Sequence, residues 1–164
     1  MQGSTHMVGG AALVAAATIG MQFGLAPAEE FMMIGLGAIG GLIPDIDHPN
    51  SKISHKLKPV SAFVSLVFSH RGFFHTPIFY TLLWLIWLLR CPLPEYALWG
   101  HSLFLGIFSH LFLDALNPGG IPAFFPFSTK RYHIAKIRTG SVAETPIRLG
   151  LVAATFCLVV MYLL

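Results

Sequence analysis

Five apolar runs, at residues 7–26, 31–43, 73–90, 96–116 and 146–164, make up more than half of this 164-residue chain and are separated by short polar stretches. A helix needs about 20 apolar residues to cross the hydrocarbon core of a bilayer. Inside lipid each segment must satisfy its own backbone N–H and C=O groups, so helices are the expected form of these runs. The fold class implied is all-α: a polytopic membrane helical bundle of about five membrane helices, some of them short, in one integral-membrane domain over residues 1–164. Composition argues against a soluble globule. With 55% hydrophobic and 10% charged residues and a mean hydropathy of +0.71, there is too little polar surface to cover one.

Along the chain, the first run is rich in glycine and alanine (Gly9, Gly10, Ala15, Ala16, Ala17, Gly20), which suits close helix packing in lipid. It lacks the basic start and A-x-A end of a cleaved signal peptide, so it is expected to stay. Pro27, Glu29 and Glu30 read as a short acidic turn. The run from Phe31 to Ile43 is terminated by Pro44. Val60–Phe68 is too short to span and reads as an interfacial or re-entrant piece. Asn117-Pro118-Gly119-Gly120 is a strong stop after the fourth run. Cys91 and Cys157 suggest neither a disulfide framework nor a thiolate metal site. No basic face points to nucleic acid.

Lys and Arg fall mainly into two loops, around 52–58 and 130–138, while the turns at 27–30 and 91–95 carry few. The positive-inside rule then puts both basic loops in the cytoplasm, the N-terminus inside and the C-terminus outside. On that topology His6, Asp45, Asp47, His48, His70, His75, His110, Asp114 and Glu144 all lie toward one membrane face. Ionisable groups at membrane depth are costly, and their gathering marks a functional site. The densest piece is Pro44-Asp45-Ile46-Asp47-His48-Pro49, directly after a run without any charge. His110 and Asp114, four apart, share a helix face as helical His/carboxylate metal ligands do, though an ordinary hydrogen-bonded pair has the same spacing. His70 and His75 can meet one metal if Gly72 marks a loop-to-helix turn. Glu144 also suits the start of a helix, where a negative charge is favourable.

The ordered set Thr5-His6, Leu42-Ile43-Pro44-Asp45-Ile46-Asp47-His48-Pro49, His70-Arg71-Gly72-Phe73-Phe74-His75-Thr76 and Ser109-His110-Leu111-Phe112-Leu113-Asp114 resembles the YdjM-type family of LexA-regulated, membrane-bound, metal-dependent hydrolases. Asn117-Pro118-Gly119-Gly120 and Gly140-Ser141-Val142-Ala143-Glu144 fit as well, so the resemblance covers essentially the whole chain. That family is distantly similar to zinc-dependent phospholipase C and the fungal zinc nucleases, all-helical enzymes with clustered zinc held by His and Asp. Unlike those soluble enzymes, this chain does not begin with a metal-ligating tryptophan, and His6 is the candidate to stand in for it.

The resemblance implies His6, Asp45, His70, His75, His110 and Asp114 as metal ligands. Asp47 is expected as ligand, bridge or general base, Glu144 as ligand or base, and His48 as a supporting residue. Mixed His and carboxylate donors without thiolate favour Zn2+, with Mn2+ or Fe2+ open and two or more ions allowed. Arg71 is the expected fork for a phosphate oxygen, although a snorkelling interfacial arginine would look the same. The expected activity is hydrolysis of a phosphoester, such as a phospholipid or polyprenyl phosphate, at the cytoplasmic face of the inner membrane. Apolar stretches at 60–68 and 121–127 would dip into the headgroups, and Lys130, Arg131, Lys136 and Arg138 would attract anionic ones. Two rival readings use the same residues: a metal transporter or sensor, and a small membrane adaptor with a structural metal clip. The expected partners are the bilayer, a lipid-like substrate and a second copy in a homodimer, with no nucleic acid.

Overall fold

The structure, a computed structural model, describes residues 1–47, 73–91 and 93–164. His48, His70, Arg71 and Val60–Phe68 therefore lie outside the described residues. Among the described residues five α-helices form: α1 (Gly3–Thr18), α2 (Pro27–Gly40), α3 (Pro77–Arg90), α4 (Pro94–Ala115) and α5 (Glu144–Leu163). Two 3-10 turns, Ile43–Asp47 and Phe73–His75, sit after α2 and before α3. Among the described residues there is no strand, only an isolated bridge between Ile121 and Tyr132. The all-helical expectation stands.

Three helices meet along a seam of glycines. A Cβ on Gly10 of α1 would lie 2.1 Å from the Gly37 carbonyl oxygen of α2, and one on Gly106 of α4 would meet the same oxygen at 2.1 Å. On Gly40 it would lie 2.1 Å from the Leu103 carbonyl oxygen. No side chain fits there, so α1, α2 and α4 touch backbone to backbone. Helix α3 packs on α4 around Tyr80, Phe104, Ile107 and Leu111, while α5 lies against α1. The outward sides of α3 (Leu82, Leu85, Ile86, Leu89) and α5 (Leu149, Val152, Phe156, Met161) are exposed and apolar. Surfaces of that kind belong in hydrocarbon.

Two expectations change. Among the described residues, only α4, over Tyr96–Ala115, and α5 are long and apolar enough to cross a membrane. The others have 16, 14 and 14 residues, about 21–24 Å of helix against a core of about 30 Å. The first run breaks at Thr18 because the backbone turns left-handed at Gln22 (φ 55°) and Gly24 (φ 66°). Pro27, Glu29 and Glu30 are no turn but the first turn of α2. Proline suits that position because its missing N–H would be unbonded anyway. The Ala26 N–H donates to Glu29 Oε2 at 3.1 Å, and acidic groups there complement the helix dipole.

After α4 the expected stop forms. Gly119 N–H donates to Asn117 Oδ1 (3.0 Å), and Gly120 takes a left-handed φ of 57°. The following loop folds back over the helix end, with Ile134 N–H on the Ala115 carbonyl (2.7 Å) and Ile137 N–H on that of Leu116 (3.0 Å). This return brings the basic loop to the same end of the bundle as His110 and Asp114.

Candidate metal centre

Helix α1 carries His6 in its first turn, α4 carries His110 and Asp114 in its last two turns, and the two 3-10 turns bring Asp45 and His75. All five side chains converge. Asp114 Oδ1 lies 3.1 Å from His6 Nε2 and 2.7 Å from the Met1 amino nitrogen. Its Oδ2 lies 3.4 Å from His110 Nε2 and 3.6 Å from His75 Nε2. Asp45 Oδ1 lies 3.8 Å from His110 Nε2 and 3.9 Å from His75 Nε2. The His6 and His110 rings stack, 3.7 Å between centroids.

These spacings discriminate between two kinds of contact. Separations of 3.4–3.9 Å are too long for hydrogen bonds. Donors bound at about 2.0–2.1 Å to one tetrahedral ion lie about 3.3 Å apart, close to what is seen. Two triads have ligand atoms all within 4.8 Å of one another: His6, Asp45 and His110, and His75, His110 and Asp114. His110 is fully buried and its Nδ1 lies 2.8 Å from the Gly41 carbonyl oxygen. That carbonyl can only accept, so Nδ1 carries the proton and Nε2 presents a lone pair. The Nε2 atom of His110 and both ring nitrogens of His6 are buried with no aligned hydrogen-bond partner. Buried polar atoms rarely stay so without reason. The donor set and its orphaned nitrogens fit a divalent ion.

Gly41 is here because α2 ends one residue earlier, leaving late carbonyls unclaimed by the helix. A Cβ at Gly41 would come 2.3 Å from the His6 carbonyl oxygen. One residue thus sets both the His110 tautomer and the approach of α1. No sequence pattern singled it out.

Glu144, at the start of α5, is placed differently. Its Oε1 accepts from Gln2 N–H (2.6 Å) and Thr5 Oγ1 (2.7 Å), and its Oε2 from Gly140 N–H (2.6 Å). It is 2% exposed and belongs to neither triad. Arg148, one turn on, donates to Gln2 Oε1 at 2.9 Å. These contacts clamp the segment that carries His6. Replacing Glu144 with alanine strands three donors, at about 1–3 kcal/mol each where buried. Thermal unfolding should show E144A well below wild type, with E144Q between.

Asp47 closes the first 3-10 turn. Arg131, one of the loop cations, donates from Nε to the Gly119 carbonyl (2.6 Å) and from Nη2 to that of Gly120 (2.7 Å). Its charge is felt at His75. Burial, helped by the neighbouring His110, pushes His75 down to about 4, with Asp114 and Asp45 pulling the other way. His75 is therefore neutral at pH 7 and ready to ligate. In the unfolded chain it takes a proton near 6.5 but in the folded chain only near 4, so its stabilising contribution is full above about 6.5. Metal-free protein should lose stability as pH falls through that window, and H75Q should show a flatter profile. Superimposable profiles would contradict this placement of His75.

A cluster of this kind on an all-helical, lipid-facing bundle defines a membrane protein with a candidate His/Asp metal centre. The YdjM inner membrane protein family matches residues 1–164. The chain belongs to that family. It is 36% identical over 155 residues to "Uncharacterized protein YvsG" of Bacillus subtilis, covering 94% of this chain and 92% of that one. It is 34% identical over 106 residues to "Inner membrane protein YdjM" of Escherichia coli and likewise to that of Shigella flexneri, covering 62% of this chain and 53% of theirs. No solved structure matches.

Proposed function

We propose that the protein is a metal-dependent hydrolase, zinc being the favoured ion, that cleaves a phosphoester such as a phospholipid or polyprenyl phosphate at the cytoplasmic membrane face. The observation that carries the reading is the convergence of His6, Asp45, His75, His110 and Asp114, drawn from four elements, with N···O spacings suited to a shared ion. Short helices α1, α2 and α3 would complete a five-helix bundle in a locally thinned bilayer, N-terminus inside and C-terminus outside.

A bound divalent ion would supply a water ionised near neutral pH and a Lewis acid for the phosphoryl oxygen. The chain's own residues do the rest. Gly41 orients His110, and Asp114 offers an oxygen to each side of the cluster. Glu144 positions the His6 segment, and Asp47 is the candidate to take a proton from the attacking water. Arg71 and Arg131 would receive phosphate oxygens, Arg131 from a side chain already fixed by two carbonyls.

Elemental analysis of detergent-purified protein tests the metal, and lipid phosphoester turnover tests the reaction. Chelation should abolish turnover and metal should restore it. D47A and R71A should keep fold and metal while losing turnover. Metal-replete protein that leaves every lipid phosphoester intact would overturn the lipid reading. Metal uptake into proteoliposomes would favour a transporter, whereas metal without turnover or uptake would leave a structural clip.

A further inference from the structure

At the other end of the bundle a cavity of about 400 Å3 opens between α1, α2, α3 and α4. Its wall includes Thr18, Met33, Trp84, His101, Leu105 and Phe108. His101 is nine residues before His110, about 14 Å along α4, so this space is distinct from the candidate metal centre. Met21 and Phe23, exposed beyond the end of α1, form its rim. From Leu98 to Phe108 the lining follows α4 for about 15 Å.

The wall is mainly hydrocarbon and aromatic, with the hydroxyls of Thr18 and Ser102 and the His101 ring as its polar side chains beside Trp84. The Thr18 hydroxyl is already taken by Val14 and Glu30. Trp84 Nε1–H donates to His101 Nδ1 at 3.0 Å. Indole can only donate, so His101 Nδ1 holds a lone pair and Nε2 carries the ring proton. The ring can offer that Nε2–H to an acceptor. It lies about 5 Å along α4 from Leu98 near the rim, while Phe108 is about 10 Å further in. A ligand matching this order has an acceptor near one end and an apolar chain beyond it.

We propose that the cavity binds one acyl chain of an ester-linked glycerolipid, entering sideways from the bilayer, with its ester carbonyl accepting from His101 Nε2–H. The volume is in the range of small-molecule sites, the surrounding outer helix faces are exposed and apolar, and the donor that the wall orients is uncharged, suited to a neutral carbonyl. This site stands whether or not the metal centre hydrolyses anything.

The test uses phosphatidylcholine with a diazirine midway along one acyl chain, in phosphatidylcholine vesicles holding the full chain. Photolabelling should concentrate on residues 98–108 and Met33. Leu105→Trp and Ala17→Leu, which fill the cavity from two helices, should each cut that labelling at least about tenfold, the loss expected for as few as two displaced methylenes. The ether-linked analogue should label wild type about fivefold less than the ester, and His101→Phe should erase that difference. Labelling spread over the outer faces of α3 and α5 and indifferent to both filling variants would overturn the proposal. Equal labelling by ester and ether, or full displacement by equimolar palmitate, would overturn the ester assignment.

Discussion

On the proposed metal-hydrolase reading, replacing Asp114 with alanine is expected to strip the protein of metal and to lower hydrolysis by at least about 10^3-fold. Its two oxygens face His6 on one side and His75 and His110 on the other, so with His110, which belongs to both triads, it ties the two together. Losing several kcal/mol of charge stabilisation accounts for that factor at about 1.4 kcal/mol per decade. Metal content by elemental analysis and initial rates on a lipid phosphoester are the readouts. D114A that keeps full metal and full rate would place the centre elsewhere. E144Q is the control: weaker folding with metal retained.

The second large effect is expected from Gly41→Ala. Its Cβ would meet the His6 carbonyl oxygen at 2.3 Å and the carbonyl carbon at 3.0 Å, and α1, also packed against α4 and α5, cannot retreat freely. Overpacking of this kind costs about 1–3 kcal/mol or more. The same shift disturbs the hydrogen bond that orients His110. Thermal unfolding should fall and metal affinity should drop with it, by about 10–100-fold as for other lost supporting contacts. Gly35→Ala in the same helix meets nothing within 4 Å and should be neutral or slightly stabilising. Equal behaviour of G41A and G35A would remove the steric argument.

The clustering of His6, Asp45, His75, His110 and Asp114 was legible because chemistry and spacing coincide, whereas Glu144, read with them, joins neither triad. His110 and Asp114 stand four apart on a helix, and Asp45 follows an uncharged run that Pro44 ends. The structure brings Asp45 Oδ1 within 3.8 Å of His110 Nε2, as the shared membrane face suggested. Helix lengths were not readable from hydropathy. Residues 19–26 are nearly as apolar as those before them, and the break lies in the left-handed backbone at Gln22 and Gly24, which an apolar average hides. Glu30 looked like a turn residue yet is 2% exposed, with the Thr18 hydroxyl donating to it. Gly41 acts through its carbonyl, an atom every residue has, so no side-chain pattern could reveal it.

His6 and Asp114 stand 108 positions apart, joined across the whole succession of helices. During synthesis the first helix therefore leaves the ribosome with its imidazole lacking a counterpart until the fourth has been made. A nascent chain stopped before residue 110 would contain α1, α2 and α3 but could not close either triad. Assembly of the centre is consequently a late event, with α4 supplying both the Asp114 carboxylate beside His6 and the His110 ring stacked on it.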